Sequence, residues 1–531
     1  MFTRSLSPAH AVARASFRCS TRALSTLRYT EPSLRKRDHE TELKRRSNEN
    51  KEITMSILKL TTTRRETKFY LNKYSTYNEE KGVNEGPHRA VIIKLRGNVI
   101  DYDEEQLSNF SNTLDYIKRL GASPVILLDP DFLAEKHDFN FSKMDQYIFQ
   151  QFSHLHKLLT KPHMKLTPLR TLLRTDDGES LKLEVSDQLL ETLADRHIPV
   201  LFPYVTDKKS KEWVVASTNY LANLVPELHK LNTPGQEDVI TVEKVIFIDT
   251  LGGIPSVERS ASHVFINLNQ EYERISAELH IGHLSIWERH IHETNLTSMK
   301  RIIDSVSYPD LTGLITTLKV AGEPLDMNPI IYNILTDRTL VSSSLPAAKY
   351  VHRLAVSSKV SKTTIIRKGL QVREYTSFDN IDLTKFKALI DDSFKRTLDL
   401  DHYLKRIKPI LSRIIIVGDY DGIAIVTTET APSSGITVPY LDKFAISRNA
   451  QGSLGVADVI FNLLKRTYNQ RLLWRSKKAN PVNGWYFQRS HGSLGMDDTE
   501  FRVFWRGADV SEKELEAFVE IGRMIQPSWE K

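Results

Sequence analysis

Two glycines, Gly452 and Gly455, stand directly before a helix-like apolar run in the segment Gln451-Gly452-Ser453-Leu454-Gly455-Val456-Ala457. A loop of this kind presents backbone N–H groups and the positive end of a helix dipole, the groups a pyrophosphate seeks. The same spacing also suits an ordinary strand-to-helix turn, so on spacing alone both readings stand. The neighbouring text is dense in polar and aromatic side chains: YLDKFAIS at 440–447, LLWRSKKANPVNGWYF at 472–487 and HGSLG at 491–495.

A second group of chemically capable residues is His280, His283, His290 and His292. Their H-x-x-H and H-x-H spacings suit zinc, but there is no nearby cysteine and no recognised finger pattern. A solvated or partner-facing helix carrying incidental histidines is the favoured reading, and no metal is expected. The only cysteine, Cys19, lies in the N-terminal stretch. If that stretch is removed, disulfides, cysteine-ligated metals and a cysteine nucleophile are excluded together.

The elements that would position these residues fall into two patterns. Over roughly 56–345, strands alternate with helices: the run Ala90–Ile93, a helix over Leu107–Leu120 with Gly121 as its C-cap, the strand Pro124–Leu128, a helix over Leu181–Asp195, then Ile198–Phe202 and Val245–Ile248. Such alternation implies a parallel sheet with crossover helices. After Ser358 the pattern changes. Thr364–Tyr375 reads as a strand, Leu383–Lys395 as an amphipathic helix, and Arg413–Val417 and Ile423–Thr427 as a hairpin about Asp419–Gly422. Tyr440–Ile446, the glycine loop, a helix over about 457–469, Leu472–Trp474 and Phe501–Trp505 complete a mostly antiparallel second domain.

At 531 residues the chain is long enough for two or three domains, and no stretch approaches the roughly 18 apolar residues of a spanning helix. The formal charge of +7 suggests a nucleic-acid binder until it is located. Arg4, Arg14, Arg18, Arg22 and Arg28 lie in residues 1–30, which contain no acid, and subtracting these five charges leaves +2 for the remainder. A nucleic-acid binder needs its cations on a folded face. An Arg-rich, Ser-rich, acid-free N-terminus reads instead as a mitochondrial transit peptide over 1–30, with a polar linker over 31–55.

YLDKF, WRS, NP and WYF occur here in the order and approximate spacing found in N-acetylglutamate synthases of the fungal and animal type. Residues 365–510 thus resemble the catalytic domain of that branch of the GNAT acetyltransferase superfamily. More weakly, 56–345 resembles its amino-acid-kinase-like domain. The resemblance implies an α/β chain: an amino-acid-kinase-like parallel-sheet sandwich over 56–350, regulatory and kinase-inactive, followed by a GNAT-type α+β domain over 360–531. It implies acetyl transfer from acetyl-CoA, a co-substrate and no tightly bound cofactor, to the amino group of L-glutamate in the first step of arginine biosynthesis. It further implies the mitochondrial matrix, arginine as feedback inhibitor, a homo-oligomer and a complex with acetylglutamate kinase.

Residue by residue, the resemblance assigns Gln451, Gly452, Ser453, Leu454, Gly455, Val456 and Ala457 to the pyrophosphate. The family pattern Q/R-x-x-G-x-G/A is matched only with one extra residue before Gly455. Phe444, Ala445, Ile446 and Ser447 would line the acetyl and pantetheine groups and supply oxyanion donors. Lys443, Arg475 and Asn480 would contact the acceptor, as would Lys477, where some relatives have arginine and its bidentate fork. Tyr486 would protonate or stabilise the departing thiolate, with Lys443 and Asn480 near the reacting centre. Each has a plainer reading. Lys443 beside Asp442 suits a surface ion pair, Arg475 a solvated strand end and Tyr486 a core tyrosine, while Trp474, Trp485 and Phe487 suit packing.

In the first domain, the turns after the first two strands read Lys94-Leu95-Arg96-Gly97 and Asp129-Pro130-Asp131. Carboxylates and a proline stand where a working kinase needs N–H donors for phosphate. Two other classes of function remain in view: an active amino-acid kinase, and a non-catalytic arginine-sensing regulator of an arginine-pathway kinase.

Overall fold

The run Ala90–Ile93 lies inside strand β1 (His88–Arg96), which is buried from Ala90 onward. A strand with parallel neighbours on both sides and covered faces reads as an unbroken apolar run. β1 has that place, pairing in parallel with β2 (Ala122–Asp129) and β7 (Ile240–Ile248). The structure, a computed structural model, describes Met55 and residues 87–530, except 132–140, 160–163, 177–179, 185, 233–234, 237, 260, 309–310, 346–361, 449 and 451–454. The expected transit peptide, nearly all of the linker and Gln451–Leu454 lie outside the described residues.

The remaining strands of the first sheet are β3 (Leu166–Thr175), β4 (Leu181–Leu183), β5 (Ile198–Thr206), β6 (Glu212–Val214), β10 (Phe265–Asn267), β11 (Thr312–Thr316) and β12 (Thr364–Arg367). A separate short ribbon is formed by β8 (Pro255–Ser256) and β9 (Ala261–Ser262). The sheet order is β10-β12-β11-β7-β1-β2-β5-β3-β4, with β6 on β5. Crossover helices are α1 (Glu104–Arg119), α2 (Phe141–Leu159), α3 (Ser186–Ala194), α4 (Ser217–His229), α5 (Leu268–Leu279), α6 (Ile286–Asp304), α7 (Leu318–Ala321) and α8 (Pro329–Thr336). Ala90, Ile92, Val125 and Leu127 pack against α4, α5 and α6. The alternating Val91, Ile93 and Ile126 are buried too, so both faces are covered.

The α1 stretch folds as its sequence directs. Leu107, Phe110, Leu114 and Ile117 form one buried stripe, and the Asp103 side chain accepts from Glu105 N–H at the N-terminus. Gly121 takes φ 75° just past the end, where a left-handed residue closes a helix. Two expectations need correction. The helix expected over Leu181–Asp195 begins only at Ser186, because Leu181 and Leu183 alternate with Lys182 and pair antiparallel with β3. The single strand expected over Thr364–Tyr375 is two. Thr364–Arg367 is β12, inserted between β10 and β11 of the first sheet, and the second sheet begins at β13 (Val372–Tyr375). Gly369, with φ 81°, lies in the break between them.

The second sheet has order β13-β14-β15-β16-β17-β19-β18, with β14 (Leu411–Val417), β15 (Gly422–Thr430), β16 (Thr437–Ile446), β17 (Leu472–Lys477), β18 (Gly492–Gly495) and β19 (Phe501–Arg506). Helices α9 (Leu383–Phe394), α10 (Leu400–Ile407) and α13 (Glu512–Met524) cover one face. Helices α11 (Val456–Thr467) and α12 (Asn483–Arg489) cover the other. The hairpin turn is Gly418–Asp421, one residue earlier than expected. Gly422 is required in the strand, since a Cβ there would meet Val456 Cγ1 at 2.5 Å. No helix among the described residues is long and apolar enough to cross a membrane.

Candidate active site

Strands β16 and β17 run parallel but pair only at Tyr440↔Leu473. Beyond that point β16 stays with β15 through Ile446, while β17 stays with β19 through Lys477. The sheet therefore opens into a V in its middle. A bulge helps to produce it: Ile425 pairs with Lys443 and Val426 with Leu441, leaving Asp442 as the extra residue. Bulges bend a strand and end pairing with a neighbour. Ser447 N–H donates to Asp421 O at 2.8 Å, which fixes the alternation of the β15–β16 ladder. Counting back along it, the backbone N–H groups of Phe444 and Ile446 face away from β15, toward the opening. Ser447 N–H does not.

Helix α12 spans one face of the V. Trp485 stacks on Phe444 of one arm with ring centroids 5.7 Å apart, and Tyr486 packs on Trp474 of the other arm, also at 5.7 Å. Tyr486 also packs on Phe504 at 5.6 Å, and burial raises its hydroxyl pKa well above the ordinary value. It is a core tyrosine by packing, and it stands beside the opening.

The opposite face carries the charges. Strand alternation would put Asp442 and Lys443 on opposite faces, but the bulge lets both point the same way. Lys443 Nζ lies 2.8 Å from Asp442 Oδ2, 4.7 Å from the Tyr403 ring centroid and 5.6 Å from that of Trp529. Asp442 also accepts from Tyr403 Oη at 2.8 Å and from Arg406. The Lys443 side chain is 11% exposed and that of Asp442 1%, so the pair is buried rather than on the surface. Burial alone would raise the Asp442 carboxyl, but Lys443 and Arg406 hold it well below the usual carboxylate range. Burial pulls the Lys443 ammonium below its ordinary value. Glu429, buried on the same face 3.6 Å from Arg406, has its carboxyl raised by burial.

Arg475 lies on the other arm with its guanidinium 4.4 Å over the Phe501 ring. It is not a solvated strand end. Its Nη1 donates to Gly522 O and its Nη2 to Ile525 O at 2.7 Å, which closes the C-terminus of α13. Arg475→Lys is expected to cost about 1–3 kcal/mol of stability, because one ammonium cannot span both carbonyls. A urea midpoint unchanged from wild type would rule this out. Asn480 donates to Ser476 Oγ at 2.8 Å and accepts from Val482 N–H at 3.0 Å, so its side chain builds the turn into α12. Lys477 pairs with Glu500 at 2.8 Å in a half-exposed surface contact. The structure thus gathers Lys443, Arg475, Phe444, Ala445, Ile446 and Tyr486 around the V. Asn480 and Lys477 are held by local partners just beyond β17.

Gly455 takes φ 63° at the N-cap of α11, and Val456 is buried against the sheet, so the glycine does open into a helix. Sequence reasoning missed Tyr403, Arg406 and Glu429. The only signal was Asp442-Lys443 inside an otherwise apolar strand, where an adjacent acid and base imply a buried partner set.

In the first domain, Lys94 Nζ lies 3.1 Å from Asp129 Oδ2 with both side chains buried, and 4.2 Å from the Phe247 ring centroid. The Asp131 carboxylate accepts from the Ser217 N–H at 3.0 and 3.1 Å, at the start of α4. Burial, reinforced by Asp129, pushes Asp131 up to about 6. A carboxylate therefore already sits at the helix start where a phosphate would be expected to bind. Of the histidines, His280 contacts Glu293 at 3.1 Å and His292 is buried, its pKa lowered by burial. Among the described residues no three His, Cys, Asp or Glu are grouped to hold a metal.

Residues 373–524 match the family model for the N-acetyltransferase domain of N-acetylglutamate synthase. The mitochondrial amino-acid acetyltransferase of Yarrowia lipolytica is 33% identical, over 91% of this chain and 93% of that protein. That of Lodderomyces elongisporus is 35% identical, over 87% and 86%. A solved N-acetylglutamate synthase from Neisseria gonorrhoeae, complexed with coenzyme A and N-acetyl-glutamate, is 12% identical at TM-score 0.46, over 83% of this chain and 99% of that one. That last likeness is too distant to carry residue roles across. The two yeast relatives, each matched over more than four-fifths of both chains, establish that this chain belongs to the family of mitochondrial amino-acid acetyltransferases.

Proposed function

We propose that this enzyme transfers acetyl from acetyl-CoA to the amino group of L-glutamate, with the V between β16 and β17 as the place of transfer. The observation that carries the reading is that opening, with an aromatic roof on one face and buried cations on the other. Acetyl-CoA would enter from the side of α11 and α12. Its pyrophosphate would meet the Gln451–Ala457 loop, and its pantetheine would lie along Phe444–Ser447. Glutamate would approach from the face of Lys443 and Arg475, whose positive potential suits two carboxylates. Asn480 and Lys477 would contribute only if their local partners were exchanged for substrate.

In the reaction the ammonium of glutamate first loses a proton to water, the freed nitrogen attacks the thioester carbonyl, and the second proton shed by that nitrogen ends on the CoA sulfur. The oxyanion would be met by N–H groups of Phe444 and Ile446. As the C–S bond breaks, the Tyr486 hydroxyl would hydrogen-bond the thiolate. A hydroxyl with a raised pKa stays neutral and remains a donor throughout. With no cysteine outside Cys19, direct transfer is favoured over an acyl-enzyme.

The first domain is read as a kinase-inactive regulator, supported by the Lys94–Asp129 pair and the Asp131 carboxylate at α4. Arginine inhibition through that domain, a homo-oligomer, a complex with acetylglutamate kinase and residence in the matrix complete the reading. The test is CoA release by the mature chain with glutamate against other amino acids, with and without arginine. Glutamate-dependent release that arginine suppresses is the expected result. A folded sample showing none sinks the assignment.

A further inference from the structure

Helix α11 has two working faces. Val456, Ile460, Phe461 and Leu464 form the apolar stripe packed on the second sheet. Asp458, Asn462, Lys465 and Arg466 form a polar stripe at the same helical spacing, and every one of them contacts the first domain or the segment leaving it. Asp458 accepts from Ser342 Oγ at 2.7 Å and Ser344 Oγ at 2.5 Å. Asn462 donates to Ser343 Oγ at 3.3 Å, Lys465 lies 3.7 Å from Glu258, and Arg466 lies 2.5 Å from Glu271. The helix that begins at the pyrophosphate loop is therefore clamped along its outer flank.

Arg489 closes the clamp from α12. It is 2% exposed, donates to Ser342 Oγ and Ser344 Oγ at 2.6 Å each, and reaches Asp458 Oδ1 at 3.2 Å. Its guanidinium lies 3.8 Å over the Trp485 ring and donates to Trp485 O at 3.1 Å. Asp458 is in the first turn of α11. A carboxylate there helps the helix dipole, but it also competes with a phosphate for the same N–H groups and repels its charge. Arg489 and the two serine hydroxyls occupy that carboxylate with hydrogen bonds, and the guanidinium offsets its charge.

We propose that Arg489, with Asp458 and the Ser342–Ser344 strap, is a positioning device for acetyl-CoA, through which the first domain sets the affinity of the cofactor-binding helix. The assignment rests on the proposed acetyl-CoA site but is separable from the choice of glutamate. Loss of Arg489 frees a negative charge at the pyrophosphate end of α11, and loss of the serines loosens the strap without adding charge.

The experiment compares the full chain with Arg489→Gln, with the double variant Asp458→Asn/Arg489→Gln, and with Ser342→Ala/Ser344→Ala. Each is followed by steady-state CoA release and by calorimetric binding of coenzyme A alone. Arg489→Gln is expected to raise the acetyl-CoA KM and the coenzyme A Kd about tenfold while glutamate KM stays within about twofold. The double variant is expected to recover most of that loss, and the double-serine variant to show about threefold weakening. Unchanged coenzyme A binding in folded Arg489→Gln overturns the proposal. So does a double variant no better than the single, since packing alone would then explain the loss. If Arg489→Gln does not fold, the double-serine variant decides by the same binding measurement. Because coenzyme A binding is read without any acceptor, failure of the glutamate assignment leaves this test intact.

Discussion

Replacing Tyr486 with phenylalanine is expected to lower kcat by roughly two orders of magnitude, with acetyl-CoA KM and thermal midpoint close to wild type. The substitution removes one oxygen from a ring packed among Trp474, Trp485 and Phe504. Packing by shape is retained, so the fold has little to lose. On the proposed mechanism, what is lost is the hydroxyl that would donate to the departing thiolate, a group that burial pushes further from ionisation. The thiolate would then leave into an apolar surround without a hydrogen bond. That cost appears in the transition state and not in substrate binding, which is why kcat and not KM should carry it. An unchanged kcat would remove Tyr486 from the mechanism and leave it as a packing residue.

The second large effect is on stability. Asp442→Ala is expected to destabilise the second domain by about 3–5 kcal/mol, the usual consequence of stripping a buried ion pair of one partner. Lys443 and Arg406 would then face each other with the Tyr403 hydroxyl left unanswered. The sign of the pH dependence follows from the same contacts. Asp442 has its carboxyl held well below the usual range, so its stabilising contribution is full above an unfolded value of about 3.9. It is lost only as pH falls through the lower, folded value. Wild type should therefore show no loss from Asp442 between about pH 8 and pH 5. Urea unfolding of both proteins across that range measures it. Equal stability of the variant would mean that the pair is not buried in solution.

Much of this architecture was legible because periodicity writes itself in the sequence. Ala90–Ile93 and Ile198–Phe202 are unbroken apolar runs, and both are interior strands. Leu181–Leu183 was not legible, since three residues of alternation merge into the helical pattern that follows. β12 was hidden for another reason: nothing local tells Thr364–Arg367 which sheet it will join. At the site, the glycine loop and Tyr486 could be marked from residue type and spacing. The bulge could not, because an extra strand residue shows only once the partner strand is known. Without it, Lys443 and Asp442 look like a surface pair. The carbonyl contacts of Arg475 are not legible in the sequence either, because the end of α13 that it closes lies nearly fifty residues away, Gly522 O among them.

The placement of β12 bears on how this protein can be taken apart. Thr364–Arg367 belongs by sequence to the approach to the second domain, yet it holds β10 to β11 in the first sheet. A fragment starting near 360 would carry a stray strand with exposed ladder groups, an invitation to self-association. Its complement would lose the link between two of its own strands. Hybrids that exchange catalytic halves between relatives should therefore be joined within Lys368–Gln371, past β12 and before β13. There, the first half can be transplanted with its sheet whole.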